Sequence, residues 1–164
     1  MQKTSTLNIT TPNDRDIVLT RVFDAPRALV FKAFTDPTLI PKWWGRRGHT
    51  TTVDTMDVRP GGAWRFVERA PDGNEFSFHG IYREIEAPGR LVYTFEFEPM
   101  PGYISLEMVK LEEQDGKTTM SNTVAFHTME DRDGMIASGM ESGATDSMDK
   151  LAELLASMLA REAN

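Results

Sequence analysis

The sequence predicts an α+β domain: one strongly curved antiparallel sheet of about seven strands wrapped around a long C-terminal helix, with two short helices between the first and second strands. Three observations carry this expectation. Between His49 and His127 the chain alternates apolar and polar residues in segments divided by turn signals. Near the end, Met140, Ala144, Met148, Leu151, Leu155 and Met158 or Leu159 follow i, i+4, i+7 spacing and lay one apolar stripe along a helix. Between the opening strand and the alternating region stand two proline-marked helix starts.

In chain order, residues 1–15 are polar and are expected to form a flexible tail ahead of a single domain over 16–164. Asp16 to Asp24, DIVLTRVFD, alternates and is rich in branched and aromatic residues, as a half-buried strand should be. Pro26 opens RALVFKAF, where Leu29, Val30, Ala33 and Phe34 fall at helical spacing, and Asp36-Pro37 repeats the start signal. Pro41 lacks the N–H that a continuing helix owes, so the second helix is limited to about one or two turns. Trp43 and Trp44 sit where it stops. Turns at Pro60-Gly61-Gly62, Pro71-Asp72-Gly73, Pro88-Gly89, Pro99 to Gly102 and Asp115-Gly116 then divide the chain into a six-strand meander. Thr128 is placed to cap a helix over Met129 to Ala137, and Ser138-Gly139-Met140-Glu141 matches a capping box at the head of the long helix.

Composition narrows the function classes. Eighteen basic against 25 acidic residues give a net charge of −7, which repels phosphate backbones and anionic lipid surfaces. The one basic cluster, Arg46 and Arg47 with Lys42, is too small for a nucleic-acid groove, so no nucleic-acid partner is expected. The absence of cysteine excludes disulfides and thiol chemistry and fits a reducing cytoplasm. The opening MQKTSTLNITTPND has no apolar run, and no stretch approaches the roughly 20 apolar residues that span a bilayer. His49, His79 and His127 show no ligand-like spacing, and neither a GxSxG elbow nor a phosphate loop is present. No metal, cofactor or catalytic residue is therefore expected. The pairs Glu84 with Glu86 and Glu96 with Glu98 lie opposite apolar rows and read as a solvated outer face, with no clear inward-facing acid.

A sheet curved around one helix cannot fill its own hollow with that helix alone. The two short helices plug one end, and a pocket is expected between plug, sheet and C-terminal helix. Trp64 with Phe66, Phe76 with Phe78, and Leu91 with Tyr93, Phe95 and Phe97 each share a strand face, so if these rows face inward the hollow is aromatic-lined. The alternative is a fully packed core. Ten methionines, with Met108, Met120, Met140, Met148 and Met158 expected inside, suit either an adaptable pocket or gap filling. Trp43 and Trp44 either staple the second short helix to the sheet or line the pocket mouth. The candidate ligand-binding set is Trp44, Trp64, Phe66, Phe78, Tyr93, Phe95, Met140, Ala144, Met148 and Leu151, with Arg21, Arg65, Tyr82, Tyr93 and His79 as polar groups at its rim or lining.

The stretches RVFDAPRALVFKAFTDP (21–37), KWWG (42–45), DVRPGGAWRF (57–66), FHGIYREIEAPGRLVYTF (78–95) and SGMESGATDSMDKLAELL (138–155) resemble, in order, the START-like (SRPBCC, helix-grip) superfamily. Within it they resemble the branch of homologues of the ATPase activator of the ninety-kilodalton heat-shock protein. Pro41, and Arg46 where members often carry proline, depart from the pattern in the plug. The resemblance implies a helix-grip domain whose cavity takes a lipophilic small molecule; a chaperone contact or a cyclase- or hydrolase-type activity in the same cavity are the competing implications.

Overall fold

The computed structural model describes residues 6–163. Eight strands are present: β1 (Asn8–Thr10), β2 (Asp16–Phe23), β3 (Thr50–Met56), β4 (Ala63–Arg69), β5 (Glu75–Glu86), β6 (Arg90–Phe97), β7 (Ile104–Gln114) and β8 (Lys117–Ala125). Four helices complete the fold: α1 (Arg27–Thr35), α2 (Ile40–Trp43), α3 (Met129–Ala137) and α4 (Met140–Glu162). The strands form one antiparallel sheet in the order β1-β2-β8-β7-β6-β5-β4-β3. Strands β3 to β8 are a meander, and β2 closes against β8 with Asp16 opposite Ala125 and Phe23 opposite Thr118.

The sheet thus has one strand more than expected. Asn8–Thr10, assigned from sequence to the tail, pair with β2 through Asn8↔Thr20 and Thr10↔Val18. A three-residue edge strand is too short for period-2 alternation to register, and only Leu7 and Ile9 mark it by packing beside Ile17 and Leu19. The remainder of the expected tail that precedes residue 6 lies outside the described residues.

Helix α1 starts after Pro26 and buries Leu29, Val30, Phe31, Ala33 and Phe34. The Asp36-Pro37 signal makes a turn rather than a helix start. Asp36 is the C-cap of α1, and its Oδ1 accepts from the Thr38 amide and hydroxyl at 2.9 and 2.7 Å, so α2 begins only at Ile40. Thr128 does cap α3, accepting from the Asp131 amide at 3.0 Å. The expected capping box of α4 does not form. Ser138 is already the C-cap of α3 and its hydroxyl donates to the Met135 carbonyl, while Gly139, at φ 84°, turns the chain directly into α4.

Helix α4 buries Met148, Leu151, Leu154, Leu155 and Met158 in a core shared with Phe23, α1, α2 and the inner faces of β4 to β8. Its first turns belong to a separate cluster, in which Met140 and Ala144 pack against Ile17, Leu19, Val124 and Phe126. Met108 does not join the core: it alternates against Val109 and Leu111, which point inward. No helix among the described residues is long and apolar enough to cross a membrane.

One charge is locked beneath α4. Arg21 sits on the inner face of β2, only 4% exposed, and its Nη1 donates to Asp149 Oδ1 of α4 at 2.6 Å. Its guanidinium carbon also lies 5.5 Å from the centre of the Phe23 ring. Removing the carboxylate leaves a buried cation without its partner, which is more damaging than removing both. Asp149→Ala is expected to lower stability by about 2 kcal/mol in urea unfolding, and Arg21→Met added to it to recover most of that loss.

Candidate functional site

The site is built where the plug meets the sheet. Leu39, Ile40 and Trp43 bring α2 against α1, where Phe34 meets Trp43 edge to face at 4.9 Å. The Trp43 indole donates to the Ala33 carbonyl at 2.9 Å, so this tryptophan is a staple. Trp44 turns the other way and packs edge to face on Phe66 at 5.3 Å and Phe78 at 5.0 Å. The two readings of the tryptophan pair are therefore divided between its members.

Behind Trp44 lies a small cavity of about 70 Å³. Its walls are Phe34, Ile40, Trp43 and Trp44 from the plug, Trp64 and Phe66 from β4, Tyr82 from β5, Leu91, Tyr93 and Phe95 from β6, and Glu107 from β7. Period-2 alternation selects the sheet residues: Trp64 and Phe66, then Leu91, Tyr93 and Phe95, are successive inward positions. Gly80 makes the wall possible. A Cβ there would stand 1.8 Å from the Thr94 carbonyl oxygen and 2.5 Å from Trp64 Nε1, the atom that donates to that same carbonyl at 3.2 Å.

The polar groups of the cavity are Glu107, Tyr93 and Tyr82. Glu107 Oε1 accepts from Tyr93 Oη at 3.1 Å and from Asn122 Nδ2 at 2.8 Å. Burial among rings and aliphatic chains raises the pKa of its carboxyl, opposed by those two hydrogen bonds. Burial likewise raises the phenols: Tyr82 by desolvation, and Tyr93 by desolvation and the neighbouring carboxylate. Both stay neutral hydroxyls at physiological pH.

A strap closes the Trp44 side. Gly45 and Gly48, at φ 104° and 83°, bracket Arg46 and Arg47. Ser147 Oγ of α4 accepts from the Gly45 amide and donates to its carbonyl, at 3.0 and 3.1 Å. Arg47 pairs with Glu153, and Lys150 donates to the Arg46 carbonyl at 3.4 Å. On the sheet side the buried Glu68 carboxylate lies 2.6 Å from His49 Nδ1 and accepts from the Arg46 amide.

Of the ten residues expected from sequence, Trp44, Trp64, Phe66, Tyr93 and Phe95 line the cavity. Phe78 stands one layer away, against Trp44 and Phe95. Met148 and Leu151 are packed core, and Met140 and Ala144 belong to the second cluster, so no residue of α4 reaches the cavity. The hollow therefore lies under α1 and α2 rather than under the long helix. Tyr82 is in the wall, but Arg65 and His79 are on the outer face. There Glu98 accepts from Arg65 at 2.8 and 3.0 Å and lies 2.9 Å from His79 Nδ1, which holds its carboxyl down at about 2. Glu107 was missed, although its parity with Val109 and Leu111 marks it as inward-facing. A wider opening of about 490 Å³ at Arg27, Glu112 and Glu113 is lined by charged surface chains and lies apart from this wall. Among the described residues no three His, Cys, Asp or Glu side chains gather as metal ligands.

Residues 24–156 match the family model described as activator of Hsp90 ATPase homolog 1-like protein. The chain belongs to that family. Its fold is shared with solved proteins from Rhodobacter sphaeroides (26% identity, 93% of this chain and 99% of that one, TM-score 0.86) and Chromobacterium violaceum (27%, 87% and 98%, TM-score 0.77). A protein from Silicibacter pomeroyi described as AHSA1 has the same fold at 23% identity, covering 86% of this chain and 97% of that one, with a TM-score of 0.71. A comparison with curated proteins finds none that matches. This Hsp90-activator homologue thus has the START-like helix-grip architecture, with a long C-terminal helix against an open eight-stranded sheet.

Two outcomes are expected for this wall. Gly80→Ala forces apart Trp64 and the β6 backbone and should cost at least about 2 kcal/mol in urea unfolding. Glu107, whose proton is held more tightly in the folded state, contributes stability below the ordinary carboxylate range that is lost as pH rises through its raised folded value. Unfolding of the native chain across that range should show the decline, and Glu107→Gln should remove it.

Proposed function

We propose that this family member binds a small lipophilic molecule bearing one polar group, in the hollow between the plug helices and strands β4 to β7. The observation that carries the reading is the Glu107 carboxyl in an aromatic wall. Burying an ionisable group there disfavours folding relative to an apolar residue of similar volume. The inward positions of β7 on either side of Glu107 are the buried Ser105 and Val109, with the buried Leu111 beyond, and none of these carries an ionisable group. A polar atom kept at that expense supports a role in recognition.

Size sets the mode of binding. The cavity of about 70 Å³ is half of the roughly 150 Å³ that admits benzene in an apolar protein interior. As it stands it takes the polar head of a ligand, and the remainder extends past Trp44. What supports that route is the strap: its two glycines hold left-handed conformations, and its contacts with α4 are hydrogen bonds and an exposed ion pair rather than buried apolar packing.

The reading is tested by titrating the 15N-labelled chain with 1-hexanol and following the indole N–H signals. Saturable shifts of Trp44 and Trp64 are expected, and Leu91→Phe, which fills the wall, should abolish them. No saturable shift, or shifts confined to the exposed Met100, Tyr103 and Ile104, would overturn the proposal.

A further inference from the structure

Among the residues that line the hollow one is acidic and none is basic. The rest are rings and aliphatic chains apart from two phenols. Tyr82 is 3% exposed, and its hydroxyl makes no hydrogen bond to any described residue. Tyr93 and Asn122 both donate to a single oxygen of Glu107. In both bonds the carboxyl accepts through Oε1, which its neutral and its ionised form do alike. Among the described residues no cation on the same inner face is placed to offset an ionised Glu107: Arg21, further along, is committed to Asp149. When it ionises, Glu107 carries a charge that no described cation beside it balances.

Resting on the cavity as a binding site, we infer that the polar end of the guest is a primary ammonium, seated among Glu107, Tyr93 and Tyr82. An alkylammonium carries three donors and no acceptor, and this corner presents three acceptor groups: one carboxylate and two phenol oxygens. Aromatic walls attract a cation through the negative faces of their rings, most strongly where water is excluded. The net charge of −7 favours approach of a cation and opposes that of an anion. An alcohol of equal length fits the same volume but leaves the carboxylate without a countercharge. A carboxylate guest adds a second negative charge beside the first.

The inference fixes a proton balance. Burial raises the pKa of Glu107 in the empty cavity and an ammonium beside it lowers that pKa, so seating the guest releases protons to solvent wherever the empty site holds the acid partly protonated. The groups facing Glu107 are Tyr93 and Tyr82 from β6 and β5 and Asn122 from β8, with Arg21 of β2 and Asp149 of α4 further along the face. The two phenols remain neutral and the Arg21–Asp149 pair is internally balanced. Affinity for the ammonium therefore rises with pH as Glu107 ionises, until the amine itself loses its proton near about 10.4.

The test compares butylammonium, 1-butanol and butyrate, matched in length and differing in charge, by NMR titration of the Trp44 and Trp64 indoles at about pH 5 and about pH 8. Butylammonium is expected to bind about ten-fold tighter than 1-butanol at the higher pH, with butyrate silent and the preference collapsing at the lower pH. Glu107→Gln should bring the affinity for butylammonium down to or below that for 1-butanol. Calorimetry of the native chain in buffers of different ionisation enthalpy should show proton release with butylammonium only, a readout that needs no variant. Equal affinity for butylammonium and 1-butanol, or a preference that survives Glu107→Gln, overturns the ammonium and leaves the cavity reading standing. If none of the three, nor 1-hexanol, perturbs either indole, both readings fall together.

Discussion

The inner face of the eight-stranded sheet is wider than the one helix laid on it, and the rest of the structure follows from that mismatch. Helix α4 lies toward β2 and β8, as the Arg21–Asp149 pair and the packing of Met140 and Ala144 on Ile17, Leu19 and Val124 establish. The inner face of β4 to β6 has to be covered by something else. Helices α1 and α2 cover it with Phe34, Ile40 and Trp43, and the bond from the Trp43 indole to the Ala33 carbonyl fixes the two short helices as one unit. Helix α2 is only four residues long, ending where Trp44 turns extended ahead of Gly45 at φ 104°, so the cover stops short and Trp44 is left to close the corner. The hollow is the space that a short plug leaves beneath a broad sheet.

Closure of that corner is polar where the core is apolar. Trp44 rests on Phe66 and Phe78, but the segment that carries it is tied to α4 by the reciprocal Gly45–Ser147 bonds and to the sheet by Glu68. Gly45 cannot carry a side chain there: besides its φ of 104°, a Cβ would stand 2.8 Å from Thr51 Oγ1. The segment is therefore ordered without contributing much apolar burial, the combination expected of a part that opens at lower free energy than the domain as a whole. Gly80 plays the opposite part on the sheet, letting Trp64 lie against the β6 backbone so that the wall itself is rigid.

Much of this was legible in the sequence because period 2 and period 3.6 are strong signals in long elements. The alternation of β4 and β6 put Trp64, Phe66, Tyr93 and Phe95 on one wall, and the stripe along α4 predicted its buried face. Failures came where two local signals competed or where position in the fold decided the outcome. Asp36-Pro37 and Ser138 carry helix-start chemistry but are spent as C-caps of the preceding helices, which the backbone reaches first. Met140 and Ala144 lie on the same stripe as Leu151, yet a helix of 23 residues extends past one cluster into another, and spacing alone does not say where. Glu107 was masked by residue type: its parity is that of Val109 and Leu111, but a lone glutamate between apolar residues reads as outward until a partner on another strand is known.

Two acids that reach toward the same inner face, the half-exposed Asp149 of α4 and the half-buried Glu107 of β7, differ in how they are partnered. Asp149 reaches down from α4 to Arg21, so the charge beneath the long helix is balanced within the chain and helps fix the register of helix on sheet. Glu107 receives two neutral donors and no cation. Those donors come from strands on either side of β7, so the carboxyl is anchored by Tyr93 of β6 and Asn122 of β8 before any guest arrives. A pair that balances itself needs nothing from outside and reads as architecture. An acid that is rigidly positioned, without a cation beside it and open to a cavity reads as half of an interaction whose other half arrives by diffusion.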